Sequence, residues 1–237
     1  YANAKHPHSW DFVDQNLAYL SLLGDHGIND TGLQVTWTPA TDTWLQFGAE
    51  VLQGDEQEKF GAGISADDLQ DMLDENSLTL ATPFADNTRR GPQLFTLFAK
   101  TAPDLGTAHA LQLGVSYARH TGQQEAHEEG DPVVTDILYA EGDVSILGLE
   151  AVYKRAATGR NGVGALRASA EYLRLDKDLA IVNHTDALEI GGTLTGTQDA
   201  FYVQGVYGFA PRWEAGLRYD ATGLTNEVTE GGTTETA

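Results

Sequence analysis

The chain contains no cysteine, so neither a disulfide framework nor a thiolate metal site is available to it. It contains no run of 18 apolar residues, which excludes a transmembrane helix. A membrane β-barrel survives that test, because its strands alternate apolar and polar residues and score poorly on mean hydropathy. Basic residues are few: 14 Lys and Arg stand against 35 Asp and Glu. That balance argues against a nucleic-acid partner, whose phosphates demand cations. It suits outward-facing loops, attraction of cations, or a salty habitat. Serine is scarce, and no Gly-x-Ser-x-Gly elbow, phosphate-binding glycine loop or nucleophile–base–acid set occurs. The chain therefore does not read as an enzyme.

What is present is alternation. Residues 199–220 read as two strands joined by a turn at Phe209–Arg212, where Pro211 is better placed than in a strand interior. In the second strand Trp213, Ala215, Leu217 and Tyr219 share one face, and Glu214, Gly216 and Arg218 share the other. The pattern recurs in hairpins at 32–53, 92–119 and 144–175. The apolar faces include Leu33, Val35 and Trp37, then Leu45, Phe47, Ala49 and Val51. Leu111, Leu113, Val115 and Tyr117 form another, and Leu147 and Leu149 begin a fourth. Glycine, at 26 residues, fits closely packed strands and frequent turns.

Between the hairpins the sequence predicts long polar loops at about 54–91, 120–142, 176–198 and from 221 onward. Short turns at one end and long loops at the other predict an all-β, antiparallel up-and-down transmembrane β-barrel, or a barrel portion of about eight strands. One domain covers 1–237, and the polar terminus, without a closing aromatic residue, reads as incomplete. Residues 1–31 form a pre-strand segment. Ser9 would cap a short helix there, with Trp10, Val13, Leu17 and Leu20 at helical spacing and Gly24 ending it. In the 54–91 loop, Ser65 followed by Asp68 predicts a helix start, with Leu69, Met72 and Leu73 as its apolar side.

Three motifs carry a family resemblance: His6-Pro-His8-Ser-Trp10-Asp-Phe12, Gly32-Leu-Gln-Val-Thr-Trp37 and Phe47-Gly-Ala-Glu50. On these the chain resembles bacterial outer-membrane porin-like proteins, whose relatives are often labelled zinc-regulated outer-membrane receptors or porins. The resemblance implies a location in the bacterial outer membrane, lipid around the barrel, and longer relatives with further strands. It implies passive passage of small polar solutes or cations. A metal-uptake receptor is the alternative, although no plug domain is visible. A soluble acidic β-sandwich acting as a binding module is a second alternative.

Candidate site residues follow from position. Asp67, Asp68, Asp71 and Asp74 would line a constriction if the helix of the 54–91 loop folded inward, with Arg89 and Arg90 opposing them. The same helix lying outside, as a lid or a contact in a homo-oligomer, is the alternative. Arg167 and Arg218, with Glu50 and Glu214, fall on polar strand faces and would set a field across a lumen. No cofactor is required. Zinc enters only through His6, His8, His120 and His127, near carboxylates such as Glu125 and Glu129.

Overall fold

The computed structural model describes residues 11–24, 27–54, 60, 66–82, 91–130, 133–186, 188, 190–230 and 233–236. Among the described residues ten strands form one sheet. They are β1 (Gly32–Trp37), β2 (Trp44–Leu52), β3 (Leu94–Ala102), β4 (His109–Glu129), β5 (Asp136–Arg155), β6 (Leu166–His184), β7 (Thr193–Ala210), β8 (Trp213–Thr222), β9 (Glu227–Glu230) and β10 (Thr233–Thr236). From β1 to β8 each strand pairs antiparallel with the next, an up-and-down meander. The sheet is open: among the described residues no pairing joins β1 to the β8–β10 side.

Among the described residues two α-helices accompany the sheet, α1 (Leu17–Leu23) and α2 (Ala66–Asn76). Seven residues do not hold a helix on their own. α1 persists because the Asn16 side chain accepts from the Tyr19 N–H at 2.9 Å and because Ala18, Tyr19, Leu22 and Leu23 are buried. Gly24, at φ 77°, ends it as the sequence predicts. The start differs. The helix opens after Asn16, while Ser9 and Trp10 lie outside the described residues. Asp11 and Asp14 are engaged elsewhere, as described below.

The side of the sheet against which α1 packs is called inner here, and the other outer. The main core is inner. α1 shares one buried cluster with Ala118 of β4, Val144 and Ile146 of β5, Leu173, Leu175 and Leu179 of β6, and Ala200 and Tyr202 of β7.

Two predicted loops are strand instead. The stretch 120–142 continues β4 to Glu129 and starts β5 at Asp136. The stretch 176–198 continues β6 to His184 and starts β7 at Thr193. Long-range pairing satisfies the backbone of these polar residues, aided by side-chain bonds such as Gln124 to Glu141 at 3.0 Å and Lys177 to Glu125 at 2.5 Å. β4 to β7 are 18–21 residues long, against 9 in β2 and β3. Beyond Thr222 the predicted loop forms the short β9–β10 hairpin. β9 resumes pairing with β7 after a break at 223–226. Asp199 sets that break by accepting from the Leu224 and Thr225 N–H groups at 2.7 and 3.0 Å.

Candidate functional site

Registers fix what each face carries. On the outer face, Trp37, Phe47, Ala99, Val115, Leu149, Tyr172, Phe201 and Ala221 lie in one row across the eight strands. Large apolar side chains along this face stand in the open: Leu33 is 78%, Val35 71% and Leu217 84% exposed. Leu113, Val115, Leu147 and Leu149 are exposed as well, and Leu45 partly so. Trp37 and Phe47 stack at 5.8 Å, and the Phe201 and Tyr219 rings meet tilted at the same distance.

This apolar band crosses the rows obliquely. On β1 it occupies Leu33, Val35 and Trp37, and Trp37 is level with Phe201 on β7 and Ala221 on β8. On β4 the row of Leu33 has already turned polar at Arg119, and on β6 polarity begins one row lower, at Arg174. On β8 the band lies wholly below that level, from Tyr219 through Leu217 to Trp213. The shift is about one residue per strand. With roughly 3.3 Å per residue and 4.8 Å between strands, the band runs across strands tilted by about 35° from its normal.

The inner face below the main core is polar. Arg167 of β6 donates to both oxygens of Glu214 on β8, at 3.0 and 2.9 Å, and to Asp11 at 3.1 Å. Arg218 of β8 wraps the turn before α1, donating to the Asp14 carboxylate at 2.7 Å and the Asp14 carbonyl at 3.0 Å. Its guanidinium also bonds Asp220 at 2.8 Å and lies 5.0 Å from the centre of the Phe12 ring. Two arginines therefore seat the N-terminal segment on the inner wall. Lys100 lies 3.4 Å from Glu150, which also accepts from Gln112 at 2.8 Å. Glu50 accepts from Gln34 and Thr96, each at 2.5 Å. The Phe98 ring lies over Gly48, leaving no room there for a β-carbon.

Arg218→Ala should free the entry to α1 without unpairing the sheet. Amide exchange at 17–23 is expected to rise by at least about tenfold, with β4–β6 unchanged, as a few charge-assisted hydrogen bonds would require. Equal exchange in both proteins would show that the arginine does not hold the segment.

The other predicted residues are placed differently. α2 buries Leu69 and Leu73 against Ile137 and Tyr139 of β5, with Met72 beside them. Those positions alternate with Leu138 and Ala140, which belong to the inner core, so α2 lies on the outer face. Asp68, Asp71 and Asp74 ride on that helix, away from the inner wall. The apolar side of α2 finds its partners where β5 carries a second apolar face, so the helix that was expected to fold inward packs on the side of the sheet opposite α1. Asn76 fixes the end of α2 by donating to Glu128 at 2.9 Å. For Asp67 only the backbone is described, and Arg89 and Arg90 lie outside the described residues, as do His6 and His8.

His120 and His127 are not brought together. His120 is 1% exposed on the inner face, with Nε2 2.8 Å from the Gly54 carbonyl. His127 is exposed further along β4, 3.0 Å from Glu125. No cluster of three or more His, Asp or Glu suited to a metal forms among the described residues. Both are strand residues, not loop residues as the sequence suggested. Alternation did reveal Arg167, Arg218, Glu50 and Glu214 on one face. Their partners Asp11, Asp14, Gln34 and Thr96 carried no local signal.

Glu125 stands on the extension of β4, beyond the band. Burial alone would push its carboxyl up, but His127 and Lys177 outweigh burial and lower its pKa to about 2. A lowered carboxylate stabilises the fold fully above its ordinary value, and that contribution disappears as pH falls from about 4.5 towards about 2. The melting temperature should therefore drop across this window, and less so in Glu125→Gln. Identical slopes for both proteins would remove Glu125 as a contributor.

The fold and its two faces define the class: an all-β, up-and-down antiparallel sheet with an N-terminal helix seated on one side. The chain is similar to an uncharacterized protein of Aquifex aeolicus (strain VF5), 30% identical over 220 residues. Those residues are 92% of this chain and 41% of the relative, so the chain spans well under half of the relative's length. No family model matches, and no solved structure matches.

Proposed function

We propose that this chain is the wall of an outer-membrane β-barrel that passes small polar solutes or cations passively. The observation that carries the proposal is the oblique apolar band. Soluble monomers rarely leave apolar patches above a few hundred Å² uncovered. Membrane barrels expose such a band, flanked by aromatics, on strands tilted by about 35–45°. The tilt of about 35° obtained from the registers supports that geometry. Trp37, Phe209 and Trp213 lie towards the short-turn end, where one aromatic girdle would sit. Closure of the barrel, by further strands or by a second copy, belongs to the proposal.

In this reading the lumen lies on the inner side. The constriction is α1 and its preceding turn, held by Arg167 and Arg218, in place of α2. Acids outnumber cations there, since Glu50 and Asp30 supplement the paired sets, so cations would be favoured. The full-length protein in a planar bilayer should give stepwise, cation-selective conductance, with weaker selectivity at high salt. Asp68→Asn with Asp71→Asn should leave selectivity unchanged, because α2 is on the outer face. A bilayer that stays silent under all conditions would sink the channel reading.

A further inference from the structure

Between α1 and the inner wall lies a cavity of about 270 Å³. Leu23 closes it from the helix, and Leu52, Ile146 and Leu173 form its apolar side on the sheet. Its two carboxylates are Asp30 and Glu50.

These two carboxylates differ in what they face from three other acids of the inner side, Glu150, Glu214 and Asp14. Glu150 has Lys100, Glu214 has Arg167, and Asp14 has Arg218. Among the described residues Glu50 instead accepts from the Gln34 amide and the Thr96 hydroxyl. Asp30 accepts from two backbone N–H groups, those of Thr31 and Gly54. All four donors are neutral, and among the described residues no Lys, Arg or His pairs with either acid. Two half-buried carboxylates beside the apolar wall of Leu52, Ile146 and Leu173, with only neutral donors among the described residues, favour a cation that can also bury an apolar part.

We propose that this cavity binds a small organic ammonium with an apolar body. The ammonium would sit against Glu50 and Asp30, and the body against Leu52, Ile146 and Leu173. The volume lies just below the roughly 300 Å³ at which drug-sized ligands begin, which restricts the ligand to a small amine. The proposal deepens the channel reading by naming its solute class.

The test is calorimetric titration of the full-length protein in detergent with 2-phenylethylamine, using 2-phenylethanol as the neutral control. Binding in detergent needs no conduction, so a silent bilayer and a failed titration are separate results. The amine should bind about tenfold or more tightly than the alcohol, about 1.4 kcal/mol. Glu50→Gln should lower amine affinity about tenfold and leave the alcohol unchanged, and Asp30→Asn should act the same way. If Glu50→Gln does not fold, Asp30→Asn decides. Equal affinity for amine and alcohol, or an amine affinity that survives neutralisation in a folded variant, would overturn the proposal.

Discussion

Leu149→Arg should destabilise the bilayer-folded protein by about 2–4 kcal/mol, the cost of an arginine near the midplane of a lipid-facing strand. Leu149 is outer and exposed, centred in the row that joins Val115 to Tyr172. In water an exposed leucine replaced by arginine costs little, so the size of the effect reports the solvent outside the sheet. Ser145 is the internal control. It lies on the same strand and the same face, but in the polar row between Arg119 and Asp176. Ser145→Arg should fall within about 0.5 kcal/mol of the parent protein. Refolding titrations into phospholipid vesicles read both. Similar small costs at the two positions would mean that the band does not face lipid, and the membrane reading would fall with it.

Leu22→Ala should cost about 2–5 kcal/mol, the range for removing a buried leucine side chain from a packed core. Leu22 is 3% exposed and belongs to the cluster joining α1 to the sheet. The loss should be larger than for Arg218→Ala, because the arginine's contacts with Asp14 and Gln15 are partly exposed. It should also be local in its consequences. α1 is too short to stay helical undocked, so its amide protection should collapse first. If α1 is the constriction, single-channel conductance should rise in the same variant. A melting temperature equal to that of the parent would show that α1 is not part of the folded core. Collapsed protection without a change in conductance would separate the helix from the pore.

The readability of the sequence followed the asymmetry of each strand. Leu111, Leu113, Val115 and Tyr117 alternate with Gln112, Gly114 and Ser116 because their strand has an apolar outer side and a polar inner side. In 137–140 the alternation vanishes. Ile137 and Tyr139 are buried under α2, and Leu138 and Ala140 are buried in the inner core, so a strand covered on both sides has no period to show. The charged stretch 120–129 resembled a loop for the converse reason: its polar side chains find partners on β5 and β6, such as Glu141 and Lys177. Likewise the acidic face of α2 suggested a pore lining, but the burial of Leu69 and Leu73 decides which side of the sheet the helix takes.

Local order alone determined that this chain makes antiparallel strands with one apolar side, because side-chain direction alternates with a period of two whatever the strand pairs with. It likewise determined where tight turns fall, and which of Glu50, Arg167, Glu214 and Arg218 share the polar side. Pairing register decided the obliquity of the band, which exists only when eight strands are aligned. Tertiary contact decided that the N-terminal segment is the one seated on the inner wall. Its ties, Arg167 to Asp11 and Arg218 to Asp14, span 156 and 204 residues. Contacts at that separation leave no periodic trace in the chain, because their geometry is set by the folded sheet and not by neighbouring residues.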